Sequence, residues 1–309
     1  MTLHDTTTKH DTGEWWDAYR SDGAIGCVRS ARWLEDRIKR GRKECFAEYV
    51  ELTPHLAGLL LDSNPMNRSL SEDTARKYAR DISAGRWQFN GETIIVSEDG
   101  LLNDGQTRCA AVLISGRSIH TLISFGSSRE SRTTVDGGRA RTLGDYLHMD
   151  GQADPNNVAA MAVMILDINA NGRISTGIDS KPTKQEALQF ARESSDLYAS
   201  FMSIHNKKRA SKIAHLSLLG VAHYFINRSA SNAAVVDEFF SRLVDGDGLR
   251  TRDPRFIARE KLLARELRLN KNERLKTIFS AWNNWRDGRE VRTIVHSFKR
   301  GDKLPEIRK

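Results

Sequence analysis

Along the first half of the chain the apolar positions change period several times, and each change marks an element. Over 29–43, Trp33, Leu34 and Ile38 share one helical face while Arg32, Arg37, Lys39, Arg40 and Arg42 fall largely elsewhere. Thr53 before Pro54 opens a second helix, with Leu56, Leu59 and Leu60 as its stripe and Asn64-Pro65 as its stop. Ser69-Leu70-Ser71-Glu72 offers a capping box for a third, whose buried face is Ala75, Tyr78, Ala79 and Ile82 before Gly85. The β-branched run Thr93-Ile94-Ile95-Val96-Ser97 then reads as a strand, followed by an Asp99-Gly100 turn, a hairpin and a helix ending at Gly116. Residues 120–125 predict another strand, and 132–135 a further extended piece.

Near residue 150 the pattern changes. The polar turn Met149 to Pro155 is followed by an apolar run over 158–168, with Asn157 as its expected cap. Helical periodicity continues over 185–201, 213–226, 235–244, 256–269 and 275–285, interrupted by a glycine- and proline-bearing loop at 171–183. Leu275, Ile278, Phe279 and Trp282 form a core stripe rather than a stacking platform. The predicted fold class is α+β: a small mixed α/β domain over 48–150, then an all-α domain over 151–309. An N-terminal arm, 1–47, precedes them, its first dozen residues reading as a disordered leader.

Length and composition bound this picture without choosing a function. With 309 residues, 39% hydrophobic and 28% charged, the chain reads as a globular protein of about two domains. No apolar run approaches the roughly 20 residues that span a bilayer, and Met1-Thr2-Leu3-His4-Asp5 does not open a secretory signal, so no membrane partner is expected. Cys27, Cys45 and Cys109 are widely spaced and odd in number, which points to reduced thiols in a cytoplasmic protein. The net charge of +8 suits anionic partners as a class.

Candidate chemistry concentrates where the strand hairpin meets its helix, at Asp104-Gly105-Gln106-Thr107-Arg108. A glycine at such a junction admits close approach of a ligand to the backbone, and the first helical turn favours an anion. Arg108, one turn in, adds a forked donor suited to phosphate or carboxylate, although an arginine there also pairs readily with a carboxylate. Arg68, Arg139 and Arg141 are the further guanidinium groups expected around the same anion. Asp104 and Asp136 are candidate catalytic carboxylates and magnesium ligands, or alternatively helix caps and arginine partners; Glu92 is a third candidate for activating water. Other chemistry is not indicated: His215 and His223 stand eight residues apart, and no Gly-x-Ser-x-Gly nucleophile signature occurs.

Asp104-Gly105-Gln106-Thr107-Arg108, with Ala110 and Ala111, resembles the Asp-Gly-Gln-His-Arg signature of the ParB/sulfiredoxin-like superfamily, especially its phage and mobile-element members. Asn64-Pro65, Asn67-Arg68, Gly85-Arg86-Trp87 and Asn90-Gly91-Glu92 fit the same context upstream, and Asp136-Gly137-Gly138-Arg139-Ala140-Arg141-Thr142 is similar to a second block downstream. The resemblance covers about 48–150 and implies a ParB-like domain whose loop, Gly105, Gln106, Thr107 and Arg108, holds nucleotide phosphates, with a nucleoside triphosphate and magnesium as the cofactors it allows. Thr107 stands where the superfamily has a histidine and cannot exchange a proton near neutral pH. Gln106 stands where sulfiredoxins carry their reactive cysteine, so sulfinic acid reduction is not expected, and the chain lacks the Glu-Arg-Arg loop of partitioning ParB proteins.

Charge supplies the expected nucleic-acid partner. Between Arg250 and Lys276 there are ten Lys or Arg against four Asp or Glu, including Arg255 and Arg259; Lys207, Lys208, Arg209 and Lys212 form a second cluster. On one face these would grip a phosphate backbone, DNA in preference to RNA; as solvated helix faces they would pair locally with Glu260, Glu266 and Glu273. The basic segment at 29–43 poses the same choice between nucleic-acid contact and packing on the main domain. The expected function is a nucleotide- or phosphate-binding ParB-like protein acting on or at DNA, for which self-association is open. The alternatives are a metal-dependent nuclease or nucleotide hydrolase of the same fold, and a DNA-modification accessory protein.

Overall fold

The computed structural model describes residues 15–19, 24–64, 70–133, 141–177 and 181–309. The chain divides into two compact units, Met1–Arg139 and Ala140–Lys309. In the first, a turn of 3-10 helix at Trp15–Tyr19 precedes α1 (Ala24–Gly41), β1 (Phe46–Leu52), α2 (Pro54–Asp62), α3 (Glu72–Ser83), β2 (Thr93–Ser97), β3 (Leu102–Asp104), α4 (Gln106–Ser115) and β4 (Ile119–Ser127). The strands lie in the order β1-β4-β2-β3, with β2 parallel to β4 and the outer pairings antiparallel. Parallel pairing of β2 with β4 requires a crossover, and β3 with α4 supplies it, which sets the start of α4 at the end of the edge strand β3.

The core of this unit lies between one sheet face and the helices. Ile94, Val96, Ile123 and Phe125 point from the strands towards Leu60, Ala75, Ile82, Ala110 and Val112. Trp16 and Leu34 join them, so α1 is an amphipathic helix packed on the domain. Its basic face is partly committed: Arg37 pairs with Glu48 at 3.2 Å and Arg40 with Glu44 at 2.7 Å. Strand β1 had no counterpart in the sequence pattern. Phe46, Glu48, Val50 and Leu52 alternate towards the helices, but Glu48 occupies a half-buried position of that face by pairing with Arg37 and Arg40, and so disguises the alternation.

Three local expectations in this unit are corrected. Tyr78, expected on the buried face of the third helix, is exposed, its ring 5.3 Å from that of Trp87, and Asp81 is buried there with Ala75, Ala79 and Ile82. The third helix takes Ser71 as its N-cap, accepting from the Thr74 amide, with Glu72 already inside the first turn. The extended piece at 132–135 is, as far as residue 133, a turn of 3-10 helix at Arg129–Thr133, closed by the Ser131 hydroxyl and amide on the Ser128 carbonyl; residues 134 and 135 lie outside the described residues.

The second unit is helical: α5 (Leu143–Met149), α6 (Pro155–Asn171), α7 (Lys184–Glu193), α8 (Ser195–His205), α9 (Ala210–Ile213), α10 (Leu216–Ser229), α11 (Ala233–Asp245), α12 (Pro254–Leu263) and α13 (Lys271–Arg286). Phe201, Phe239, Phe240, Phe279 and Trp282 fill its centre, with Leu275 and Ile278 buried beside them as the periodicity predicts. Several breaks were not visible as apolar pattern. Helix α6 begins at Pro155 after Asp154 in the left-handed region at φ 49°, so Asn157 does not cap it. The run over 185–201 is two helices, broken at Ser194, and the run over 256–269 stops at Leu263 because Ala264 turns extended. No helix among the described residues is long and apolar enough to cross a membrane.

Candidate functional site

The loop Asp104–Arg108 is built by three elements meeting at one point. β3 ends at Asp104, whose Cα stands opposite Ile95 of β2, and Gly105 then turns the chain into α4 with φ 103°. That left-handed conformation suits glycine alone, and a Cβ there would stand 2.7 Å from the Ile94 side chain. No side chain caps the helix, because its N-cap residue is the glycine itself. The end of α2 braces the turn: the Leu102 amide donates to the Ser63 carbonyl at 2.6 Å, and the Asn64 side-chain amide donates to Gln106 Oε1 at 3.0 Å.

Arg108 lies under this turn with 7% of its surface exposed. Its Nη2 donates to the Thr93 carbonyl at 2.9 Å and to Asp104 Oδ2 at 3.1 Å, tying the first turn of α4 to both β2 and β3. Its Nη1 is buried and makes no hydrogen bond. A guanidinium nitrogen shut away from water without an acceptor is costly, so this unpartnered fork position of Arg108 stands out in the loop. Asp104 is therefore an arginine partner, the structural alternative that its position allowed. Next along the helix, Cys109 is fully buried; burial pushes its thiol up to about 12, against the opposing charge of Arg108, which leaves it protonated and unreactive.

A second arginine reaches the loop that the sequence did not single out. Arg129 Nη1 donates to the Leu102 carbonyl and to Asn103 Oδ1, both at 2.7 Å, while Asn103 Nδ2 donates to the Ser128 carbonyl at 3.0 Å. Asn103 is buried, so this knot fixes the strand leading into the loop. The only signal in the sequence was the Arg129 charge itself, and only the fold brings it to Leu102 and Asn103.

The other expected site residues are placed less centrally. Gln106 is buried and Thr107 half-buried. Glu92 is exposed, and its carbonyl accepts from the Thr121 hydroxyl at 3.3 Å. Arg141 is exposed in the second unit, where its carbonyl accepts from Lys184 Nζ at 2.7 Å. Arg68, Asp136 and Arg139 lie outside the described residues, as does the 1–12 leader. No group of three or more His, Cys, Asp or Glu arranged to hold a metal ion occurs among the described residues.

The basic clusters separate into free and committed groups. Lys208, Arg209 and Lys212 are exposed around α9. Lys207 is instead held by Asp237 at 2.7 Å and by the Ser241 hydroxyl at 2.8 Å. Arg255 is buried, forked on Asp253 and stacked 4.7 Å from the Trp285 ring centroid. Burial pushes the Asp253 carboxyl up, but the Arg255 hydrogen bonds and the charges of Arg255 and Arg242 outweigh it and hold the carboxyl below its ordinary value. Arg259 is half-buried, its Nη1 3.7 Å from Glu260 and its Nε without a hydrogen-bond partner. Arg255 thus serves the helical core, and the surface cations left from the expected set are Lys208, Arg209 and Lys212.

No family model matches the chain, no curated protein matches it, and no solved structure matches it.

Proposed function

We propose that the loop Asp104–Arg108 is a phosphate-binding site for a nucleotide or a nucleic-acid backbone, in a protein that acts at DNA and has a ParB/sulfiredoxin-like domain. The observation that carries this reading is the buried Nη1 of Arg108, which lacks a hydrogen-bond acceptor in the first turn of a helix whose cap is glycine. Such a turn attracts an anion through its amide groups and dipole, and an arginine fork completes the cradle. The motif resemblance over 48–150 points the same way. Asp104, engaged by Arg108, orients the guanidinium, which favours binding over hydrolysis as the task of the loop.

The test is thermal stabilisation by CTP, ATP, GTP, TTP and short duplex DNA, with and without magnesium, on wild type, Thr107→Glu and Arg108→Lys. A ligand specific for the folded state adds about 2.7 kcal/mol at a hundredfold excess over its dissociation constant. Thr107→Glu places a negative charge on the first turn, where the helix dipole tolerates it while an incoming phosphate is repelled. The expected result is a ligand-dependent shift in wild type that both variants lose. Equal shifts in all three proteins would remove the loop from the function.

A further inference from the structure

After α13 the chain runs without regular structure from residue 287 to 309, back along the helical unit. Its last six residues, Leu304 to Lys309, have no regular secondary structure and are held by groups that address main chain. The Leu304 amide donates to the Gly172 carbonyl at 2.8 Å at the end of α6. On α13, Asn283 Nδ2 donates to the Glu306 carbonyl at 2.7 Å and Asn283 Oδ1 accepts the Arg308 amide at 2.9 Å, so one carboxamide reads both sides of Ile307 as a neighbouring strand would. The fully buried Trp282 donates its indole N–H to the Arg308 carbonyl at 2.8 Å, and Arg286 Nε donates to the Lys309 carbonyl at 3.2 Å.

Two side chains add selectivity. Ile307 packs on the helical core, and Arg308 Nη1 pairs with Asp287 Oδ1 at 2.9 Å. None of these interactions requires that the segment be covalently continuous with α13. The connection between them, 287–303, has no regular secondary structure and includes Gly288 and Gly301 in the left-handed region.

We propose that this groove, formed by Gly172, Trp282, Asn283, Arg286 and Asp287, is a peptide-recognition site for a segment bearing an apolar residue followed by a basic one, and that residues 304–309 are its occupant in cis. The connection is itself anchored on the helical unit, with the Val291 amide donating to the Arg252 carbonyl at 2.9 Å, Ile294 buried in the core and Lys276 Nζ donating to the Ser297 carbonyl at 2.7 Å, so the segment is presented at the groove and the wild-type groove is closed to a peptide in trans. Releasing the segment opens the groove. The site is independent of the phosphate loop and stands whether or not that reading holds.

The experiment uses the full chain and a labelled peptide covering residues 301–309, followed by fluorescence anisotropy. The double variant Leu304→Asp/Ile307→Asp releases the tethered segment and leaves the groove intact. We expect saturable binding to this variant at least tenfold tighter than to wild type, no binding of a scrambled peptide, and loss of binding when Asn283→Ala is added. A folded double variant that ignores the peptide, or that binds the scrambled peptide equally, overturns the proposal. Where the double variant does not fold, Asn283→Ala alone decides by limited trypsin digestion. Faster release of the segment at Lys303 than in wild type supports the groove, and an unchanged rate overturns it.

Discussion

At the scale of the residue, Arg108 carries two tasks that mutation separates. Its Nη2 ties α4 to the Thr93 carbonyl and to Asp104, so Arg108→Ala strips partners from a half-buried carbonyl and a carboxylate and costs about 1–3 kcal/mol, read as a lower urea midpoint. Arg108→Lys keeps the charge and loses the fork, which makes it the better probe of binding. His223 offers a pH test. Burial, reinforced by the Lys207 charge, lowers its value to about 4 from 6.5. The unfolded chain therefore binds the proton first as pH falls, and the stability due to neutral His223 is complete above about pH 6.5 and lost on descending through about pH 4. A tenfold difference in proton affinity between folded and unfolded chain corresponds to about 1.4 kcal/mol, so His223→Gln should flatten the stability profile between those limits; an unchanged slope in urea titrations at stepped pH would contradict it. Cys109, buried with its thiol pushed up to about 12, should resist alkylation until the protein unfolds, whereas exposed Cys45 reacts in the native state. Mass spectrometry of the labelled sites reads the difference.

Elements are joined here by close backbone approaches as well as by apolar stripes. Gly126, at φ 90° in β4, lies against the Gly41 carbonyl at the end of α1, and a side chain there collides with backbone that cannot step aside. Gly116, at φ 63° after α4, has open space around it. Gly116→Ala should therefore cost only the left-handed strain, about 1–2 kcal/mol, while Gly126→Ala should cost several times more and loosen α1; matching melting temperatures for the two would refute the distinction. Helices α2, α3 and α4 were legible from their apolar stripes, and α2 and α4 also from the Thr53 cap and the Gly116 stop, because their buried faces are largely apolar. Strand β1 was not, since Glu48 is admitted to its inner face only by two arginines of α1. Likewise Ser194 breaks one apolar run into α7 and α8 without any glycine or proline to announce it.

For the whole molecule, the charge of +8 is not spread evenly in its availability. Lys207 and Arg255 are consumed by Asp237 and Asp253, whereas Lys208, Arg209 and Lys212 remain exposed around α9. If DNA is held there, neutralising Lys208, Arg209 and Lys212 together should weaken binding across sequences and reduce the slope of log K against log salt by about 0.9 for each phosphate no longer neutralised. An unaltered slope in salt titrations would place the DNA surface elsewhere. Lys207→Ala, by contrast, should disturb stability more than DNA binding, because Asp237 and Ser241 are its partners.

What the sequence by itself determined is whatever depends on local chemistry: most of the apolar stripes of the helices, the Thr53 cap of α2, the Gly116 stop of α4, the strand before the loop, and the glycine junction before Arg108. Those features follow from backbone sterics and periodicity, which act over a few residues. The tertiary structure alone decided which charges are spent. It paired Arg108 with Asp104 and Thr93, brought Arg129 to Asn103, seated Arg255 between Asp253 and Trp285, and laid Leu304 to Lys309 along α13. Whether an arginine is a binding group or a structural tie depends on which acceptor lies within hydrogen-bond reach. Partners such as Arg129 and Asn103, 26 residues apart in the chain, meet only after the fold has closed.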